Sequence, residues 1–315
     1  MTTERRKFLI DTDTASDDAV ALLMALRDPG VEVLAITVVA GNVPLDTAVQ
    51  NALYTVEIAG VPLVPVYVGC AAPLVQPLHT AQVVHGQDGM GDIGLPLTGR
   101  TPAEGHAVDV LARLIGEHEP GELTLVTLGP LTNIAVLFAR HPDYAARLRE
   151  IVIMGGTGDG VGNITAAAEF NIWVDPEAAA LVFSSGARLV MVGWDISRKY
   201  ATFDQVAAAD LRTAGRLGDF AVDIQAVLTQ FALHATGLGG FDLPDPIAMG
   251  VALDPSIGTD VRHLNVVIET RGEHTRGATV VDHTGYSGRP RNTHVVLEAS
   301  RERFVELLKE RLREG

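Results

Sequence analysis

The chain is predicted to be an α/β protein built on an open, mostly parallel sheet flanked by helices. Short β-branched runs alternate with helical stretches, the pattern of successive βαβ units. Several of those runs end in glycine-rich or polar turns: Ala40-Gly41-Asn42, Gly129-Pro130, Gly155-Gly156 and Gly193-Trp194-Asp195. With 47% hydrophobic and 20% charged residues over 315 positions, there is enough apolar material for a large core.

Strands are expected at Lys7-Ile10, Val33-Val39, Val64-Val68, Leu123-Leu128, Ile151-Met154 and Leu189-Val192. Helices are expected near Asp17-Arg27, Leu45-Ala59, Ala103-His118, Leu131-Arg140 and Pro176-Phe183. From Ala201 to Thr236 the pattern is again helical. Later strand-like runs follow at Leu264-Ile268, Thr279-Val281 and Val295-Leu297, and a charged helix starts at Ser300. Residues 70–100 are rich in Pro, Gly and His, and so long an irregular stretch is expected to be a functional lid. A second mobile loop is expected near 215–243. No repeat or linker interrupts the pattern, so residues 1–315 read as one domain.

The charge balance is 24 basic against 39 acidic residues, a net −15. Nucleic acids and anionic membranes select basic patches, so neither is expected as a partner. Cys70 is the sole cysteine, which rules out an internal disulfide and favours a reducing compartment. No apolar run reaches the ~18–20 residues of a membrane span, and the start of the chain does not read as a signal peptide. A cytoplasmic location is expected.

The densest chemistry lies at the end of the first strand, where Asp11, Asp13, Asp17 and Asp18 fall within eight residues. Asp17 and Asp18 alone could be an N-cap and a first-turn acid of the next helix. That reading leaves Asp11 and Asp13 unexplained: they precede the helix and, two apart on a strand end, point to one face. So much negative charge in one turn calls for a cation, and oxygen-rich sites suit hard divalent ions. Carboxyl ends of parallel strands are also where open α/β folds hold their ligands.

Asp11-Thr12-Asp13-Thr14-Ala15-Ser16-Asp17-Asp18 resembles the amino-terminal fingerprint of the nucleoside hydrolase family, the metal-dependent N-ribohydrolases. Val39-Ala40-Gly41-Asn42, Leu128-Gly129-Pro130-Leu131-Thr132-Asn133-Ile134-Ala135, Met154-Gly155-Gly156, Gly162-Asn163, Ala168-Glu169-Phe170-Asn171 and Asp245-Pro246 resemble later family segments, in the expected order. The resemblance implies a Rossmann-like nucleoside hydrolase fold and hydrolysis of ribonucleosides to base and ribose, for nucleoside salvage. It implies Ca²⁺ held by Asp13, Asp18, Asp245 and the Leu128 carbonyl, with Asp11 in support. Asp13 would be the general base, and Asp17, Asn42, Asn163, Glu169 and Asn171 would grip the ribose. Relatives are homodimers or homotetramers, which sets the expectation for assembly. Asn133, after a Gly-Pro turn, reads as a turn or helix-start residue rather than a ligand.

One branch of the family places a His directly before the late Asp, to protonate the departing base; here that position is Pro244. General acid catalysis is typically worth ~10²–10⁴-fold, so a substitute is sought. His85, in a Gly-rich loop, is one candidate. His234, on the helix before Gly237-Leu238-Gly239-Gly240, is another, although it also reads as an ordinary helical residue. Trp173 and Trp194 read as core or pocket-wall residues. Two rival readings remain: a haloacid-dehalogenase-type phosphohydrolase with Asp11 as nucleophile and Mg²⁺, and a non-catalytic Ca²⁺-dependent nucleoside- or ribose-binding protein. The first needs a later catalytic Lys, and after Lys7 only Lys199 and Lys309 remain.

Overall fold

The computed structural model describes residues 5–235 and 239–313. The first half contains β1 (Arg6–Thr12), α1 (Ser16–Leu26), β2 (Val31–Val38), α2 (Leu45–Ile58), β3 (Val66–Val68), α3 (Gln82–His85), β4 (Ala103–His106), α4 (Ala107–Glu117), β5 (Leu123–Thr127), α5 (Thr132–Arg140) and β6 (Glu150–Met154). Then come α6 (Phe170–Val174), α7 (Pro176–Phe183), β7 (Leu189–Val192), α8 (Trp194–Tyr200), β8 (Thr202–Asp204), α9 (Gln205–Arg212), α10 (Arg216–Asp223) and α11 (Ala226–Ala235). The chain closes with β9 (Gly240–Asp242), α12 (Pro244–Leu253), β10 (Gly258–Ile268), β11 (Thr279–Asp282), β12 (Thr293–Ala299) and α13 (Arg301–Leu312).

Ten strands form one sheet in the order β11-β10-β12-β7-β6-β5-β1-β2-β3-β4. It is parallel from β12 to β4, and at the other end β10 alone is reversed, pairing antiparallel with both β12 and β11. β8 and β9 make a separate antiparallel pair. Side chains alternate across β1: Phe8 and Ile10 join the core under α1, α2, α12 and α13, while Leu9 joins the core under α4, α5 and α7. Both faces of β1 are therefore covered, as its apolar sequence requires.

The chain order places the site. From β1 it proceeds outward through β2, β3 and β4, then returns to lay β5 on the opposite side of β1. Connections leave β1 and β5 in opposite directions, opening a crevice beyond their carboxyl ends. The turns after β1, β2, β5 and β6 all face it.

α1 forms because Ala19-Val20-Ala21-Leu22-Leu23-Met24-Ala25 is rich in good helix formers and is buried on every side, partly against α12. Asp28-Pro29-Gly30 stops it.

Several expectations are corrected. Ala103–His106, expected as helix, is the strand β4, whose exposed residues pair with β3 at the sheet edge. α12 was not expected, although Pro244 at its first position and Asp245 in its first turn are helix-start signals. The stretch 215–243, expected as a loop, is mostly α10, α11 and β9; residues 236–238 within it lie outside the described residues. Residues 70–100 are irregular as expected, apart from the single turn of α3.

Candidate active site

Asp11 is the buried penultimate residue of β1, and Asp13 follows in the turn. Thr12 Oγ1 donates to Asp18 Oδ1 at 2.6 Å and the Ala15 N–H to Asp18 Oδ2 at 2.9 Å, which pins the first turn of α1 onto the strand end. The Asn42 N–H donates to Asp13 Oδ2 at 2.6 Å. Glycine is required on both sides of that carboxylate: a Cβ on Gly41 would lie 2.1 Å from Asp13 Oδ2, and one on Gly129 would lie 2.5 Å from Oδ1.

Asp17, Asp18 and Asp245 each bring a carboxylate oxygen within 4.8 Å of the others. Asp13 stands beside this trio, close enough to interact electrostatically with Asp17, Asp18 and Asp245. The geometric grouping thus differs in one member from the ligand set expected from resemblance, with Asp17 in place of Asp13. Burial, then the Asp18 charge, pushes the Asp13, Asp17 and Asp245 carboxyls well above the ordinary carboxylate range. Asp18 is raised too, by burial, although Thr12, Ala15 and Asn42 donors temper the effect. Asp13 Oδ1 and Asp17 Oδ1 are buried with no hydrogen-bond partner among the described residues. Like-charged buried oxygens without donors are what a divalent cation satisfies, so this donor set fits a hard metal ion.

Asp11 sits behind the cluster. Its Oδ1 accepts from Thr37 Oγ1 and from Asn133 Nδ2 (2.8 Å), and burial raises its carboxyl to about 7. Asn133 is a structural residue, as expected: its Oδ1 also takes the Cys70 N–H.

A cavity of about 230 Å³ opens over the cluster, just below the ~300–1,000 Å³ of drug-sized ligand sites. Asp17, Asn42, His85, Leu128, Asn163, Glu169, Asn171 and Asp245 all line it. Glu169 caps α6: Oε1 accepts from the Asn171 N–H and Oε2 from the Gly156 N–H, while burial raises its carboxyl to about 7. Asn171 Nδ2 donates to the Leu128 carbonyl at 2.8 Å, which leaves Oδ1 as its free polar atom. Asn163 Oδ1 accepts from the Phe170 N–H, so its Nδ2 is the group still able to donate. Trp194, Leu228, Phe231 and Pro244 add apolar lining.

His85 Nδ1 lies 2.9 Å from Ser16 Oγ and 3.7 Å from Asp17 Oδ1. Burial pushes its imidazole down to about 4, so it is neutral near pH 7. His234 is not brought to the cavity: it is exposed on α11, and its Nδ1 bonds back to the Gln230 carbonyl at 2.7 Å. The cavity-facing residues of α11 are Leu228, Phe231 and Ala232, so the histidine lies on another side of the helix.

The sequence profile of the inosine-uridine preferring nucleoside hydrolases matches residues 8–306. The chain belongs to that family. It is a nucleoside hydrolase, an enzyme that cleaves N-glycosidic bonds. The pyrimidine-specific ribonucleoside hydrolase RihA of Salmonella schwarzengrund is 40% identical over 310 residues, covering 97% of both chains. A plant nucleoside hydrolase superposes with a TM-score of 0.90 at 34% identity, over 98% of this chain and 99% of the other. The purine-preferring ribonucleoside hydrolase of Gardnerella vaginalis gives 0.89 at 30% identity, over 98% of each.

In this nucleoside hydrolase the phosphohydrolase reading fails on geometry as well. Asp11 would be its nucleophile, yet its side chain is hydrogen-bonded to Thr37 and Asn133 and does not line the cavity, and no lysine among the described residues lines it. Sequence reasoning missed Asp242, Phe231 and Phe170 as lining residues. Only Asp242 carried a signal, an acid in Phe241-Asp242-Leu243-Pro244-Asp245.

Proposed function

We propose that this nucleoside hydrolase uses Ca²⁺, held by the Asp13, Asp18 and Asp245 carboxylates and the Leu128 carbonyl, to hydrolyse ribonucleosides to free base and ribose. The observation that carries the reading is that Asp13 Oδ1 and Asp17 Oδ1 are buried without a hydrogen-bond donor among the described residues, beside two further carboxylates. When bound, a divalent cation supplies Lewis-acid chemistry, holding oxygen ligands in place and making water easier to deprotonate.

Asp13 is the general base. It is held between Gly41 and Gly129 and fixed by the Asn42 N–H, beside the cavity-lining Asp17 and Asp245, and it receives the proton of the attacking water. Asp17, Asn42, Asn163, Glu169 and Asn171 orient the sugar hydroxyls; Asn171 presents Oδ1 and Asn163 presents Nδ2. The ring of carboxylates stabilises the positive charge that grows on the sugar as the bond to the base lengthens. The apolar lining from Trp194, Phe231 and Pro244 limits the water that reaches the bound nucleoside. His85, neutral and tied to Ser16, acts as a hydrogen-bonding contact rather than as a cationic acid.

The chain is proposed to act in nucleoside salvage as a cytoplasmic homodimer or homotetramer. Its single cysteine suits a reducing compartment, and no helix among the described residues is long and apolar enough to cross a membrane. Ribose release from inosine, adenosine, uridine and cytidine tests the activity. Relatives are named for both purine and pyrimidine preference, so the panel spans both. Tight nucleoside binding without ribose release would favour the non-catalytic reading instead.

A further inference from the structure

Pro244 leaves the departing base without the histidine that one branch of the family places there. Among the described residues, five ionisable side chains line the cavity: Asp17, His85, Glu169, Asp242 and Asp245. Asp17 and Asp245 belong to the carboxylate cluster. Glu169 has both oxygens occupied, Oε1 by the Asn171 N–H of α6 and Oε2 by the Gly156 N–H, and His85 is tied to Ser16. Asp242 is the remaining group, and it stands at the end of β9 beside Trp194 and two residues before Pro244.

Its setting is asymmetric. Trp194 Nε1 donates to Asp242 Oδ2 at 3.0 Å and Ser197 Oγ donates to the same oxygen at 2.8 Å. The two donors are three residues apart and so share one face of α8. Oδ1 receives no hydrogen bond from another described side chain. With Oδ2 filled by two donors, a proton on this carboxyl resides on Oδ1. Trp194, which fixes Oδ2, is itself part of the apolar wall that a flat base would meet.

We propose that Asp242 is the catalytic residue that meets the leaving base, giving it the Oδ1 proton as the C1′–N bond breaks. This rests on the nucleoside hydrolase reading above and deepens it. The balance is complete: a water oxygen bonds to C1′ and loses a proton to Asp13. The C1′–N electron pair leaves with the base and is met by the Asp242 proton, and solvent then resets both carboxyls.

The surroundings support a carboxyl that holds its proton. Burial raises Asp242 first of all, and Asp17 on α1 is close enough that the two charges disfavour one another. Ser197, Trp194 and Arg198 on α8 pull the other way, but the Arg198 guanidinium is paired with Asp159 at 2.7 Å.

The test compares inosine and uridine with 4-nitrophenyl β-D-ribofuranoside, whose phenolate departs without a proton. Asp242→Asn keeps an acceptor for Trp194 and Ser197 but has no acidic proton. It is expected to lower kcat on both nucleosides by about 100-fold or more, with KM within about threefold. On the nitrophenyl riboside its kcat stays within about threefold of the unaltered enzyme. Equal losses on both substrate types would make Asp242 a structural strut between α8 and β9 and overturn the proposal, as would no loss on either. Ser197→Ala is the second variant: it keeps the carboxyl but removes one donor to its charged form. The alkaline limb of the nucleoside kcat profile should move to higher pH, and an unmoved limb counts against the proposal. If the unaltered enzyme cleaves neither substrate type, the hydrolase reading itself fails; where the unaltered enzyme does cleave them, the variants speak to Asp242 alone.

Discussion

The backbone N–H of Asn42 donates to Asp13 Oδ2 at 2.6 Å, so the turn after β2 holds the carboxylate presented by the turn after β1. Two glycines then close on Asp13 from the sides, and neither tolerates a side chain. A Gly129→Ala Cβ would lie 2.5 Å from Asp13 Oδ1 and must push it aside. Misplacing a reacting group by about 1 Å can cost ~10²-fold. Steady-state kinetics of Gly129→Ala should show that order of loss in kcat while the far-ultraviolet dichroism stays that of the unaltered enzyme.

Asp13→Asn separates the two roles assigned to this residue. Loss of the general base lowers kcat by about 10²–10⁴-fold. In chelator the same variant should melt at a higher temperature than the unaltered chain, because one member of a mutually repelling buried group has been neutralised. Parallel ribose-release and thermal-melt measurements read both effects.

The metal-free enzyme should lose stability as pH rises above about 6.5. Asp11 and Glu169 have folded-state values near 7, above their ordinary 3.8 and 4.5, and Asp13, Asp17 and Asp245 are also raised, by burial and by the neighbouring carboxylates. The folded state then binds more protons than the unfolded one, so stability present at low pH is lost as pH climbs through the folded-state values. His85 has the opposite sign, since its folded value of about 4 lies below 6.5; its gain tails off above pH 6.5, and the raised carboxyls outnumber it. Melting temperatures between pH 6.5 and 8.5 should fall in chelator and stay flatter in millimolar Ca²⁺.

His85→Ala removes a hydrogen-bonding contact rather than a proton donor. A bond of this kind contributes about 0.5–1.5 kcal/mol, or roughly 2- to 13-fold in kcat/KM. Because the imidazole is already neutral, the pH profile between 6 and 8 should keep its shape. A limb that vanishes in the variant would restore His85 as the acid.

Much of the site was legible because its residues sit at ends of strands that the hydrophobic pattern marks. Asp11, Asp13, Asn42 and Leu128 follow apolar runs that end at one rim, and Asn163, Glu169 and Asn171 follow the Gly155-Gly156 turn. What was not legible depends on tertiary direction. His234 and Phe231 are three residues apart, yet only Phe231 reaches the cavity, and that rotation is set by how α11 lies on its neighbours. Asp242 could be found only once Trp194 and Ser197, more than 40 residues earlier, were seen to fix one of its oxygens. The strand Ala103–His106 escaped because it is a short, largely exposed edge whose only sheet partner is β3.

Ribose release by the chelator-stripped enzyme, followed against free Ca²⁺, bears most directly on the metal-dependent mechanism. The rate should be abolished in chelator and return along a saturable curve with one ion per chain. Undiminished turnover in excess chelator, with no bound metal detected, would contradict it.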